Sequence, residues 1–174
     1  KIPVLDKDKA TEMENLILEI KKESDSIGGI IEACVINLIP GIGSPFFDSV
    51  ESRLSQMIFS IPGVKGIEFG KGFYIEDDIV KTYTNNNGGI SGGITNGMPM
   101  IFRVVFRPTP SIAKTQRTVD MEKKENIEVN IGGRHDPCIV IRAIPVVEAA
   151  TALVILDLIT YWPTPYFVVN YYEI

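Results

Sequence analysis

The sequence predicts an α+β fold, with helices packed against an antiparallel sheet, on three observations. Apolar residues recur at helical spacing in three separate stretches. Short runs rich in β-branched residues, or alternating apolar and polar, lie between them. Some of these runs are joined by turns, as residues 100–106 are to residues 127–131, which predicts antiparallel pairing. At 174 residues the chain is long enough for a real core, and a single domain over residues 1–174 is expected.

The first helix is expected from Thr11, where Thr11-Glu12-Met13-Glu14 fits a capping box. Met13, Leu16, Ile17 and Ile20 form its apolar stripe, and Glu12, Glu19, Lys22 and Glu23 its solvated face. Residues 29–39 read as a strand ending at the turn Pro40-Gly41-Ile42-Gly43. A second helix is expected from Asp48, with Glu51 as its reciprocal cap, Val50, Leu54, Met57, Ile58 and Ile61 as its stripe, and Pro62 as its stop. Residues 64–69 form a short strand. Residues 100–106 place Met100, Phe102, Val104 and Phe106 on one face and Arg103 on the other; residues 127–131 alternate with Glu128 and Asn130 outward. The third helix is expected to open with Pro145 in its first turn and to run to Ile159. Apolar side chains surround nearly its whole circumference, so it should be the most buried element, with Leu153 in the core.

Composition narrows the function classes. A net charge of −5 argues against nonspecific nucleic-acid binding. Cys34 and Cys138 are far apart, with no CxxC and a single histidine, His135, so no zinc site of known spacing exists and a reducing, cytoplasmic compartment is expected. No apolar stretch is expected to reach the ~18 residues of a membrane span. The opening Lys1-Ile2-Pro3-Val4 reads as interior sequence, so a targeting signal, such as one for a plastid, would lie upstream.

Three segments could carry chemistry. Residues 85–99 include Gly88, Gly89, Gly92, Gly93 and Gly97, which leave backbone N–H groups open to an anionic or planar ligand. The run is neither a P-loop nor GxGxxG, and such a pattern is more often a turn joining two strands. In Gly132-Gly133-Arg134-His135-Asp136-Pro137-Cys138, Arg134 offers a fork of donors to phosphate or carboxylate, and Asp136 a base. A surface Arg–Asp pair at a turn is an equal reading, and a lone histidine between them is more often a loop residue than a catalyst. Arg107-Pro108-Thr109-Pro110-Ser111 presents a charge and two hydroxyls on a stiff loop, a possible phosphate cradle or simply a strand end.

Taken in order, these segments resemble the chorismate synthase family. Ser91-Gly92-Gly93-Ile94-Thr95-Asn96-Gly97-Met98-Pro99 is similar to one family signature. Arg134-His135-Asp136-Pro137-Cys138 followed by Arg142-Ala143-Ile144-Pro145-Val146-Val147-Glu148-Ala149 is similar to its C-terminal signature. Asp25-Ser26-Ile27-Gly28-Gly29 and residues 60–68 also look like family stretches, so the resemblance covers about residues 1–160.

The resemblance implies the C-terminal half of a homotetrameric lyase of the shikimate pathway, in which phosphate leaves 5-enolpyruvylshikimate 3-phosphate to give chorismate. It implies reduced FMN as cofactor, an association with NADP, and no metal. Carried over, Pro62, Gly63, Gly92 and the stretch Arg107, Pro108, Thr109, Pro110, Ser111 should touch FMN, the last near its phosphate. Arg134 should reach flavin or substrate, and Asp136 occupies the position of the carboxylate that handles the proton at flavin N5. Arg107 stands where the family has lysine, and Pro110 where it has a small residue, often one bearing a hydroxyl. A family loop is missing between Phe73 and Tyr74, and the ending from Tyr161 to Ile174 matches no known pattern. The histidines and arginines of the family's N-terminal half are absent, which implies an incomplete site in this chain. A non-catalytic flavin- or phosphate-binding or oligomerisation module is the alternative; His- and Arg-rich sequence upstream would favour the enzyme.

Overall fold

The computed structural model describes residues 2–71 and 84–161. In chain order the elements are α1 (Lys7–Lys22), β1 (Gly29–Val35), α2 (Val50–Phe59), β2 (Val64–Phe69), β3 (Ile90–Ser91), β4 (Ile94–Thr95), β5 (Met100–Phe106), β6 (Gln116–Asp120), β7 (Glu125–Val129) and α3 (Val140–Tyr161). This is the expected architecture of helices packed on an open antiparallel sheet. The Phe73–Tyr74 junction and the ending after Tyr161 lie outside the described residues. Two compact units form, Lys1–Gly29 with Phe106–Ala143, and Ile30–Val105 with Ile144–Ile174.

The second unit holds the sheet, ordered β1-β5-β2. Strand β5 is central and alternates as its sequence demands, with Met100, Phe102 and Val104 completely buried. On its other face Arg103 donates from Nε to Glu32 at 2.7 Å and from Nη1 to Glu68 at 2.9 Å and to the Gly70 carbonyl. One guanidinium thus ties all three strands, and the Glu68 hydrogen bond holds its proton above the ordinary arginine range. The side chain is 31% exposed, so replacing Arg103 by Leu is expected to lower stability by about 1 kcal/mol in chemical denaturation. No change would mean that the sheet face needs no clasp.

Helix α2 starts one residue later than its sequence suggested. Ser49, rather than Asp48, is the N-cap, its hydroxyl accepting from the Ser52 N–H at 3.1 Å. Val50, Leu54 and Ile58 are buried as expected. Helix α1 starts earlier than expected, because Asp6 accepts from the N–H groups of Asp8 and Lys9 and outcompetes Thr11 as cap. It buries none of its residues.

Two expectations are corrected. Strand β7 pairs with β6, Gln116 opposite Val129 through Asp120 opposite Glu125, and not with β5, whose two edges β1 and β2 occupy. The alternation in residues 127–131 does not mark a buried face: Ile127 is 37% exposed and the ribbon is largely open on both sides.

The third helix begins five residues before Pro145 and is not buried all round. Its covered stripe is Val147, Ala150, Thr151, Val154 and Leu158, with the Thr151 hydroxyl donating to the Val147 carbonyl. Leu153 is 57% exposed and Leu156 59%. By length and composition Val140–Thr160 could cross a membrane, with a mean hydropathy of 1.9, which the sequence reading missed because Glu148 and Asp157 interrupt the apolar run. Its one-sided burial and the ion pair of Asp157 with Arg53 of α2 are those of a helix packed on protein.

Candidate functional site

In the first unit, residues 25–28 join two loops that are distant in sequence. The Ser26 hydroxyl donates to the Thr109 carbonyl at 2.6 Å, and the Ile27 N–H donates to the Pro137 carbonyl at 2.8 Å. A Cβ at Gly28 would lie 2.3 Å from the Phe106 carbonyl oxygen, so only glycine lets the chain pass under the end of β5. Lys114 donates to Asp25 at 2.6 Å; this hydrogen bond holds the Asp25 carboxyl below and the Lys114 ammonium above their ordinary ranges.

The two loops also touch directly. Ser111 Oγ lies 3.1 Å from His135 Nδ1, and His135 Nε2 lies 2.7 Å from the Ile131 carbonyl. Asp136 is held at both oxygens: Oδ1 accepts from the Cys138 N–H at 3.2 Å, and Oδ2 forms an ion pair with Arg142 Nη2 at 2.8 Å. Lys21, Arg134, His135, Asp136, Pro137 and Arg142 line a cavity of about 520 Å³. Arg134 and Arg107 are exposed and make no hydrogen bond or ion pair among the described residues. Thr109 Oγ1 is buried without a partner. Thr109, Ser111, Arg134 and Asp136 therefore belong to one unit, flanked by Arg107, Pro108 and Pro110 on the same loop.

Pro62, Gly63 and Gly92 lie in the other unit. Pro62 and Gly63 form the turn from α2 into β2, where Gly63 takes φ 95° as the helix ends. Gly92 and Gly93 are the two central residues of the β3–β4 hairpin, at φ 59° and 86°, the pair of positive values that a type I′ turn requires. Gly93 is crowded, since a Cβ there would meet Ser49 at 2.7 Å, and its carbonyl accepts from the Val50 N–H. Gly92 has nothing within 4 Å of that position, so its backbone faces open space. The glycine run is thus an ordered turn, pinned through Thr95, whose hydroxyl donates to Ile39 and accepts from Ile42.

Sequence reasoning passed over Lys21 and Ser26 as members of this cluster and treated His135 as a bystander. Lys21 reaches the cavity from α1 and Arg142 from the first turn of α3, and no local pattern signals either meeting. Ser26 and Gly28 stood inside a stretch noticed only for its resemblance.

Comparison with known proteins gives one answer throughout. The family described as chorismate synthase matches residues 1–160. Chorismate synthase of Korarchaeum cryptofilum is 46% identical over 159 residues, covering 83% of this chain and 44% of the relative. That of Pyrococcus abyssi is 45% identical over 161 residues, covering 83% and 45%. A crystal structure of chorismate synthase superposes with a TM-score of 0.66 at 29% identity, over 88% of this chain and 44% of that one. The chain spans a little under half the length of the relatives it matches, and by the extent of the match over residues 1–160 it belongs to the chorismate synthase family.

Proposed function

We propose that this chain supplies the flavin-side portion of a lyase that eliminates phosphate from 5-enolpyruvylshikimate 3-phosphate, in the anti-1,4 sense, to give chorismate. The observation that carries this reading is the buried, unpartnered hydroxyl of Thr109 on the same loop as the uncommitted Arg107. A buried hydroxyl without a partner is costly, and an acceptor such as a phosphate oxygen would satisfy it.

Reduced FMN, when bound, supplies electron density while phosphate departs and takes up the hydrogen that is lost, with no net redox change. The chain's residues fit such a group. Arg107, Thr109 and Ser111 would hold its phosphate on a loop stiffened by Pro108 and Pro110. Gly92, Pro62 and Gly63 would offer backbone without bulk. Arg134 would present its fork to flavin or substrate anion. Asp136, fixed at both oxygens, would hold the proton near flavin N5. A cytoplasmic homotetramer is the assembly that goes with this reading.

The test is an anaerobic assay with reduced FMN on the chain joined behind the N-terminal portion of the Korarchaeum cryptofilum relative. Chorismate is expected; a folded, FMN-loaded chimera that forms none would refute the reading. This chain alone is expected to give no turnover, because one histidine and the few cations here cannot hold a multiply anionic substrate. Turnover by the isolated chain would show that the division of the site is wrong.

A further inference from the structure

We infer that His135 is a positioning residue: it sets the direction in which the Ser111 hydroxyl donates, and an anion bound at Ser111 brings a proton onto this imidazole. The inference rests on the reading above for the identity of the anion, but its logic is that of the hydrogen bonds alone.

A carbonyl oxygen can only accept, so the 2.7 Å contact between His135 Nε2 and the Ile131 carbonyl fixes the ring hydrogen on Nε2. In the neutral imidazole Nδ1 is then bare and must accept. The group facing it at 3.1 Å is the Ser111 hydroxyl, whose single hydrogen is therefore committed to the ring. In this state Ser111 turns only lone pairs toward an incoming anion. The other tautomer would set a bare Nε2 against the carbonyl, two acceptors at 2.7 Å.

Protonation reverses the polarity. The imidazolium donates from both nitrogens, to Ile131 and to Ser111, and the hydroxyl hydrogen is released to point at a phosphate oxygen. The anion acquires a donor that the neutral chain cannot give it without breaking the serine–histidine bond. Binding of the two is then reciprocal: the anion favours the proton, and the proton favours the anion to the same degree. The neighbouring hydroxyl of Thr109, buried without a partner, and the uncommitted Arg107 place the other donors for an anion on the same loop. The charged groups sharing the cavity with His135 are Lys21 of α1, Arg134 and Asp136 of its own loop, and Arg142 of α3.

The chain has one histidine, so its imidazole can be read without assignment ambiguity. Two-bond proton–nitrogen spectra of the labelled chain at fixed neutral pH would be recorded while inorganic phosphate is added, with chloride at equal ionic strength as control. The free chain is expected to show the Nε2–H tautomer, and phosphate to convert it to the doubly protonated ring while chloride does not. Phosphate affinity should fall by up to about tenfold per pH unit where one proton accompanies each anion. Ser111→Ala should remove the effect of phosphate on the ring. An Nδ1–H tautomer, a ring unmoved by phosphate, or a response that survives Ser111→Ala would each overturn the inference. A parallel titration with FMN separates it from the cofactor reading. FMN bound with the ring unmoved sinks the inference alone, whereas a phosphate response in this chain with no FMN binding by the folded chimera sinks the cofactor reading alone.

Discussion

Asp136→Asn, in the chimera that completes the chain, is expected to lower chorismate formation by about 10²–10⁴-fold while FMN and substrate affinities change little. The substitution keeps size and can still accept from the Cys138 N–H, so the loop stays in place while the base is lost. If Asp136 instead serves only to tie Arg142 to the loop, the outcome inverts: flavin affinity falls, and saturating FMN restores most of the rate. Turnover and FMN affinity measured on the same variant separate the two, and a near-normal rate at saturating FMN would remove Asp136 from the chemistry.

The other large effect concerns α3. Leu158→Ala is expected to cost about 2–5 kcal/mol, through lost burial and the cavity left behind. Leu158 is only 2% exposed. Leu153→Ala, one turn and a half earlier but 57% exposed, should cost less than about half a kcal/mol in the same chain. Equal losses at the two positions in urea denaturation would mean that another surface covers Leu153 in solution, and the one-sided helix would have to be abandoned.

The contrast between those two leucines also marks what the sequence can and cannot carry. Strands β2 and β5 are legible to the residue, because Pro62 and Pro99 bound the runs, and in β5 the alternation also records which face is covered. Helix α3 is legible in kind but not in burial: an all-round apolar helix states that something covers each face, not that this chain supplies the cover. Cap positions went astray where two candidates competed, Asp6 against Thr11 and Ser49 against Asp48, since the winner depends on where the preceding chain arrives. The pairing of β7 failed because β6, polar and short, has no periodicity to announce it.

For the site, Arg134 and Asp136 stood out as a motif, but the side chain that pairs with Asp136 is set by where α3 begins. Arg142 reaches Asp136 by its place in the first turn of a helix that was expected to start later. Ser111 meets His135 because Ser26 and Ile27 stitch their loops together, a join spanning more than eighty residues between Ser26 and Thr109. No local pattern contains that information.

The ribbon of β6 and β7 leaves from just after Ser111 and returns just before His135, with five paired positions between its base and its tip. Both strands are exposed, and Met121 at the tip is 82% exposed. The cluster is therefore insulated from whatever happens at residues 121–124, because the base closes at Gln116 opposite Val129 whatever length lies beyond it. That tip is a natural handle. A fluorophore, an affinity tag or a short foreign sequence grafted there would ride at the end of a β-ribbon, reporting on the protein without entering the cluster around Ser111 and His135.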